Sequence, residues 1–274
     1  MDKFWLGYRF ILDGEGDMIT VAYNVYSFEG YVHRAEWVRG KVGGKLSGDG
    51  AREIGRALQN YGVDVVTTSE SRNEGAVATL AEEMGFSYVY FPSPGLWPGG
   101  LMTRYKILER ENCPVGGKRR AELFTRHWGR AVLEGDDGAP LIVHSVHTFA
   151  GWADVRYWEV KQILEVVKRD IKTGHSVIVQ GDLNHTPYGP EYALWLDVGL
   201  VDTFSRMHGQ TDEGKTLLRP QPRARLDYVL ASGAIVDQLV EARPLYEADF
   251  RLYENRPDFV ALSDHLPQLA KFNG

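Results

Sequence analysis

The stretch SYVYFPSPGLWPGGLMTRYKI (residues 87–107), with LIVHSVH following at 141–147, decides the fold class. Branched and aromatic residues dominate it, and from 87 to 147 one strand-like segment succeeds another without helical periodicity. The flanks read differently. Upstream, strand-like ITVAYNVY (19–26) and DVVTTS (64–69) alternate with helical segments. One lies in 50–60, where Ile54, Ala57 and Leu58 share a face, and one is predicted over 74–84, with Gly85 placed to end it. Downstream, Val160, Ile163, Leu164 and Val167 mark a helix in 154–171, and SVIVQG (176–181), LDYVLA (226–231) and PQLAKF (267–272) read as strands. A doubly wound sheet needs regular alternation of strand and helix, so a strand-only middle points instead to stacked sheets with outer helices. The pattern leaves strand order open. No repeat, low-complexity tract or linker-like shift interrupts the chain, and one domain over 1–274 is expected.

With 274 residues, 43% of them hydrophobic, the chain has ample material for a large core. A single cysteine, Cys113, excludes an intramolecular disulfide framework and favours a reducing setting. The first segment, MDKFWLGYRFILDGEGDM, has its apolar pieces broken by Arg9, Asp13 and Glu15, so no secretory signal is read there. Nor does any later run approach the roughly 20 apolar residues of a membrane span. A cytoplasmic, soluble protein is the expectation. The net charge of −6 gives no global attraction for a polyanion, so any grip on nucleic acid must be local or metal-assisted. Two basic clusters stand out. Lys118, Arg119, Arg120, Arg126 and Arg130 are read as solvated charge on loops and strand faces, whereas Arg219, Arg223 and Arg225 run directly into a candidate active-site segment.

That chemistry centres on VIVQGDLNHTP, where an apolar strand runs into Gly181 and then presents Asp182 and Asn184 two residues apart. On extended backbone both would face one side, where a carboxylate and an amide suit a hard divalent cation and a water or phosphate oxygen. An Asx-rich turn closed by Pro187 is the structural alternative. Near the C-terminus LSDHLPQLAKF adds Asp264 and His265 just before a strand. Neighbours on extended backbone face opposite ways, so these two serve different tasks and another group must orient His265. Asp227, acidic within the apolar RARLDYVLAS, is the natural partner, because a buried carboxylate needs one; local backbone donors or an arginine would also satisfy it. Glu70 ends DVVTTSE and Asn24 interrupts the β-prone ITVAYNVY.

In order and context these residues resemble the endonuclease/exonuclease/phosphatase superfamily, which includes DNase I-like nucleases, abasic-site endonucleases, sphingomyelinases, inositol phosphatases and deadenylases. The resemblance runs from about Asn24 to Pro267. AYN is similar to the opening asparagine motif, DVVTTSE to the segment that delivers the metal-binding glutamate, and GGLMTRYKI to the strand-turn segment. HSVHT resembles the central histidine motif, GDLNHTP the Asp-x-Asn motif, RLDYVLAS the segment with the orienting aspartate, and SDHLP the terminal Asp-His pair. The resemblance implies a four-layer αββα sandwich of two mixed β-sheets with outer helices. It implies that Glu70 binds Mg2+, or Mn2+, with help from Asp264 and Asn24. Asp182 and Asn184 would orient or activate the attacking water, His147 and His265 would contact phosphate, and Asp227 would hold His265 in its working tautomer. Ser69 stands where the family commonly has glutamine, which implies different hydrogen bonding around the metal. His147, where abasic-site endonucleases typically carry tyrosine, and Thr186-Pro187 lean away from that branch, while RLDYVLAS leans toward it.

A divalent cation with imidazolium donors is also what phosphodiester chemistry demands, because the negative charge repels a nucleophile. A zinc site at His144 and His147 is disfavoured, since residues three apart on a strand face opposite sides. Nucleic acid is the favoured substrate, with Trp97, Trp152 and the arginines Arg223 and Arg225 as candidate contacts. Trp128, Trp158 and Trp195 are expected to pack in the core or to anchor a loop. A small-molecule or phospholipid-headgroup phosphoester is the second expectation, with GLWPGG as the one short apolar loop for a lipid surface. A non-catalytic binding module ranks last, because all eight site positions hold competent residues.

Overall fold

The computed structural model describes residues 16–32, 49–113, 124–211, 213–218, 222–251 and 260–274. In chain order the first half runs β1 (Met18–Asn24), β2 (Tyr31–Val32), α1 (Gly50–Gln59), β3 (Val65–Ser69), α2 (Glu74–Met84), β4 (Ser87–Phe91), β5 (Gly99–Thr103), β6 (Lys106–Asn112) and β7 (Trp128–Glu134). The second half runs β8 (Pro140–His147), α3 (Ala153–Ile171), β9 (Ser176–Asp182), α4 (Pro190–Asp197), β10 (Val201–Asp202), α5 (Thr203–His208), β11 (Asp227–Ser232), β12 (Leu239–Pro244), β13 (Val260–Ala261) and β14 (Gln268–Phe272). Two six-stranded mixed sheets result, ordered β12-β14-β1-β3-β5-β4 and β10-β11-β9-β8-β7-β6. The middle of the chain, strand after strand, supplies the β4–β5 hairpin of one sheet and β6, β7 and β8 of the other.

Burial explains why most of these strands read as unbroken apolar runs: both faces are covered. In β1, Val21 and Tyr23 turn outward to a core shared with Ile54 and Leu58 of α1 and Val77 and Leu80 of α2, while Ala22 turns inward to meet the other sheet. In β9, Val177 and Val179 face Val160 and Ile163 of α3, and Ile178 joins Ala22, Leu101, Val143 and Val229 between the sheets. Helix, sheet, sheet and helix thus form four layers, as the resemblance implies. The edge strand β6, KILEREN, is largely exposed and charged, which discourages pairing with another chain.

Helix ends follow local chemistry. Asn73 caps α2 by accepting from the Ala76 N–H at 3.0 Å, and Gly85 ends it in the left-handed region at φ +70°. Gly181 is required for a different reason: its φ is +145°, and a Cβ would stand 1.8 Å from the Val146 carbonyl oxygen of the adjacent strand. Only glycine lets β8 and β9 run in register up to their last residues.

Two expectations are corrected. Trp128 and Trp195 are fully buried, but Trp158 is 62% exposed, because it lies off the stripe of Val160, Ile163, Leu164 and Val167 that seats α3. Lys118, Arg119 and Arg120 lie outside the described residues, yet Arg126 and Arg130 of the same cluster are not solvated charge. Arg130 grips Asp170 with two hydrogen bonds of 2.9 Å, and Asp170 also meets His144 at 2.8 Å. His144 is buried in that network, accepting from the Trp128 indole, and faces away from His147.

Candidate active site

Strand pairing assembles the site before any side chain is considered. β1 and β3 run parallel with Asn24 opposite Ser69, so Asn24 and Glu70 emerge together. In the other sheet β8 and β9 run parallel with His147 opposite Asp182, and antiparallel β11 sets Asp227 on the far side of Asp182. β14 is antiparallel to β1, which returns the turn holding Asp264 and His265 to the same end. The Ser263 hydroxyl fixes that turn by donating to the Asn24 carbonyl at 2.6 Å while accepting from the His265 N–H.

The side chains then converge on Asp182, which is 2% exposed. Asn24 donates to its Oδ2 at 3.0 Å across the gap between the sheets. His147 Nε2 lies 3.6 Å and His265 Nε2 3.9 Å from the same oxygen. His265 Nδ1 sits 2.7 Å from Asp227 Oδ2, and Asp227 is fully buried. Both ring nitrogens of His147 are buried without a hydrogen-bond partner. Asn184 is half-buried in the left-handed region at φ +51°, donating to the Thr148 carbonyl at 3.0 Å. The chain therefore turns after Asp182 instead of staying extended, and the Asn184 N–H closes back on Asp182 Oδ1. Glu70 is also left-handed, at φ +59°, a conformation that costs a non-glycine residue on the order of 1 kcal/mol and gathers at functional sites.

Charge is concentrated here. Burial, then the charge of Asp227, pushes the Asp182 carboxyl well above the carboxylate range. Burial opposes the His265 proton, but Asp227, Asp182 and Asp264 outweigh it and raise that imidazole to about 10. Glu70 is raised chiefly by burial, with Asp264 repelling it and the Asn24 amide hydrogen bonding to it. Buried carboxylates held above their ordinary range lack positive charge, and an all-oxygen set of carboxylates and an amide fits a hard divalent cation. Asp182, Asp227 and His265 also bring ligand-type atoms within 4.8 Å of one another, a closeness already explained by the Asp227–His265 hydrogen bond. Asn24 turns its oxygen to the Tyr26 N–H at 3.1 Å, leaving one lone pair on that oxygen for a cation.

Of the expected substrate contacts, Trp152 is 76% exposed at the start of α3 and Arg223 is exposed on a loop. That loop folds against Leu217, which bridges to His265. Arg225 is a correction: it is 3% exposed and pairs with Asp202 at 2.8 Å. The rings of Phe204 and Tyr228 lie 4.9 and 5.0 Å from its guanidinium, so it anchors α5 to β11 and presents nothing to a ligand. Arg219 lies outside the described residues. Two site residues escaped the sequence. Ser263 was legible only as the first letter of SDH, and Arg126, buried beside Glu70 and Asp182, carried no signal beyond its charge.

Comparison places this geometry in a family. Among solved structures the chain is similar to the endonuclease/exonuclease/phosphatase from Bacteroides vulgatus, at 14% identity and TM-score 0.69, over 94% of this chain and 98% of that one. It is similar to the human Nocturnin catalytic domain with bound sulfate, at 18% identity and TM-score 0.69, over 95% and 94%. The 3′ phosphatase NExo from Neisseria is similar at 18% identity and TM-score 0.66, over 94% and 100%. A search of curated protein sequences finds no match. The profile of the Endonuclease/Exonuclease/phosphatase family matches residues 21–265, from within β1 to His265, and the chain belongs to that family of phosphoester hydrolases.

Proposed function

We propose that the chain is a divalent-metal-dependent phosphodiesterase that cleaves nucleic acid by in-line attack of water. The observation that carries this reading is Asp182, a buried carboxylate with its proton affinity raised, held between His147 and His265 and braced by Asn24. A carboxylate so placed accepts a proton from water, with Asn184 closing the turn beside it. His265, kept cationic by Asp227, donates from Nε2 to phosphate oxygen, and His147 offers a second ring N–H that finds no partner in the protein. Glu70 and Asp264, with the remaining lone pair of Asn24, would hold Mg2+ or Mn2+, which when bound supplies Lewis-acid neutralisation of the phosphate and of the leaving oxygen.

Exposed aromatic side chains favour nucleic acid. Trp97 is 37% exposed, Trp152 76% and Tyr188 63%, and Trp152 and Tyr188 follow the strand ends that carry His147 and Asp182. Such rings stack bases without regard to sequence. Among the similar folds, NExo is described bound to a product DNA hairpin and a zebrafish TDP2 complexed with single-strand DNA product. The test is a panel of single- and double-stranded DNA and RNA, small phosphomonoesters and phosphodiesters, and phospholipid vesicles, each with magnesium or manganese. Cleavage of an oligonucleotide faster than any small or lipid phosphoester is expected. Turnover confined to small molecules or vesicles would overturn the nucleic-acid assignment and install the alternative, for which the 88% exposed Leu96 of GLWPGG would be the membrane contact.

A further inference from the structure

The segment Thr125-Arg126-His127 leads into β7 with its backbone fastened on both sides. The Ser93 hydroxyl donates to the Arg126 carbonyl at 2.9 Å, and the Glu159 carboxylate accepts the Thr125 N–H at 2.8 Å and its hydroxyl at 3.0 Å. Arg126 itself is 9% exposed, with its guanidinium 4.2 Å from the centre of the Trp97 ring. Its Nε and Nη1 are buried and have no hydrogen-bond partner. Two other buried arginines each have a carboxylate partner: Arg156 meets Glu191 and Arg225 meets Asp202, each at 2.8 Å, although Arg225 Nε is also left without a hydrogen bond. A buried guanidinium edge left unmade is destabilising unless something outside the protein completes it.

The His147 backbone N–H donates to the His127 carbonyl at 3.0 Å, which sets the segment holding Arg126 beside the end of β8 that carries His147. Burial lowers the proton affinity of Arg126, and the charges of Glu70, Asp182 and Glu159 draw it back up; Arg126 in turn helps keep His147 neutral. The orphaned donors of this region are Arg126 Nε and Nη1 and the one N–H of the neutral His147 ring, and an oxyanion is a ligand chemistry that accepts from all of them. Resting on the hydrolase reading above, we propose that Arg126 is a further catalytic residue, donating its guanidinium edge to the non-bridging oxygens of the scissile phosphate, with Trp97 as the plate that holds its plane. Trp97 stacks on one face and leaves the edge free, the geometry in which a planar fork meets two phosphate oxygens at once.

The test uses bis(p-nitrophenyl) phosphate, which has a single phosphate, so a role confined to a flanking phosphate would leave its hydrolysis untouched. Arg126→Ala should lower kcat about 100-fold or more, the cost of removing one transition-state donor. Arg126→Lys should fall between it and the parent, and added guanidinium ion should restore part of the Arg126→Ala rate. Trp97→Ala should lose less than Arg126→Ala, and Trp97→Phe less still. Independently of turnover, calorimetric affinity for inorganic phosphate should drop at least about tenfold in Arg126→Ala, and in Arg126→Gln should the alanine variant unfold in urea before the parent. Rates and phosphate affinity within twofold of the parent, or a loss that guanidinium does not relieve, would overturn the proposal. A parent protein inactive on every phosphoester would instead sink the hydrolase reading, and phosphate binding would still read out Arg126.

Discussion

Asp227 and His265 show what one contact can decide. Without its carboxylate neighbours a buried imidazole would shed its proton, and with them His265 holds it to about 10. Replacing Asp227 by Asn keeps the shape and removes the charge nearest the ring. The His265 titration followed by NMR should then move to lower pH than in the parent, and kcat should fall about 100-fold or more as the donor weakens and its tautomer loosens. An unmoved titration would show that Asp227 does not set the state of His265. At this scale Asp182, Asn184, Asp264, His265 and Glu70 carry types and contexts that stand out locally, whereas Asn24, His147 and Asp227 drew their weight from the order of motifs. Arg126 was not legible, because its meaning lies in burial without a counter-ion, which no residue type announces. Arg225 failed in the opposite sense, since the carboxylate it pairs with is 23 residues upstream in a separate element.

Elements, not residues, deliver the site, for every proposed ligand or catalytic group sits at a strand end or in the turn beside one. The strands from β1 to β14 that house them were readable from branched and aromatic runs, and α1, α2 and α3 from their stripes. The short pieces α4, α5 and β12 were not, because six or eight residues give too little periodicity and are shaped by tertiary contacts. Asp202 illustrates this. It caps α5 by accepting from Phe204 and Ser205, takes the Tyr192 hydroxyl at 2.8 Å and neutralises Arg225. Asp202→Ala should therefore destabilise the fold by about 3–5 kcal/mol, the cost of stranding a buried charge. Arg223→Ala, which removes an exposed side chain, should stay within about 0.5 kcal/mol. Urea unfolding of the two variants checks both, and equal midpoints would contradict the division between anchor and surface arginine.

At the scale of the whole molecule, the sandwich buries a row of ionisable groups. Burial holds His127 and His185 down at about 3, and lowers His144 and His147 too. Histidines depressed in the folded state contribute stability that is present above their unfolded pKa, about 6.5, and lost as pH falls toward 3. Each adds up to about 1.4 kcal/mol per pH unit to that loss. Asp182, raised to about 7, works in the opposite sense by favouring the folded state at low pH, as do Glu70, Glu159 and Asp64, which burial also raises; Asp170, lowered to about 2 by His144 and Arg130 despite its burial, adds to the loss on the acid side. His265, raised to about 10, contributes stability below its unfolded pKa and loses it as pH climbs through 10. Urea midpoints should peak near neutral pH and fall on both sides, on the alkaline side already from about pH 7 as the His265 contribution is lost; a midpoint flat from pH 7 to 4 would contradict the burial of these rings. Layer order was legible from the strand-only middle of the chain, whereas the gap-spanning Asn24–Asp182 bond, which makes one site of two sheets, was not, since no pattern within either strand encodes the distance between sheets. The most direct measurement is hydrolysis of bis(p-nitrophenyl) phosphate by metal-stripped protein as Mg2+ or Mn2+ is titrated back, for the parent, Glu70→Gln and Asp182→Asn. The account predicts no turnover with chelator, saturable return with either ion, a higher metal requirement for Glu70→Gln, and a loss of about 1,000-fold for Asp182→Asn at saturating metal. Turnover that survives the chelator, or an Asp182→Asn variant as fast as the parent, would contradict it.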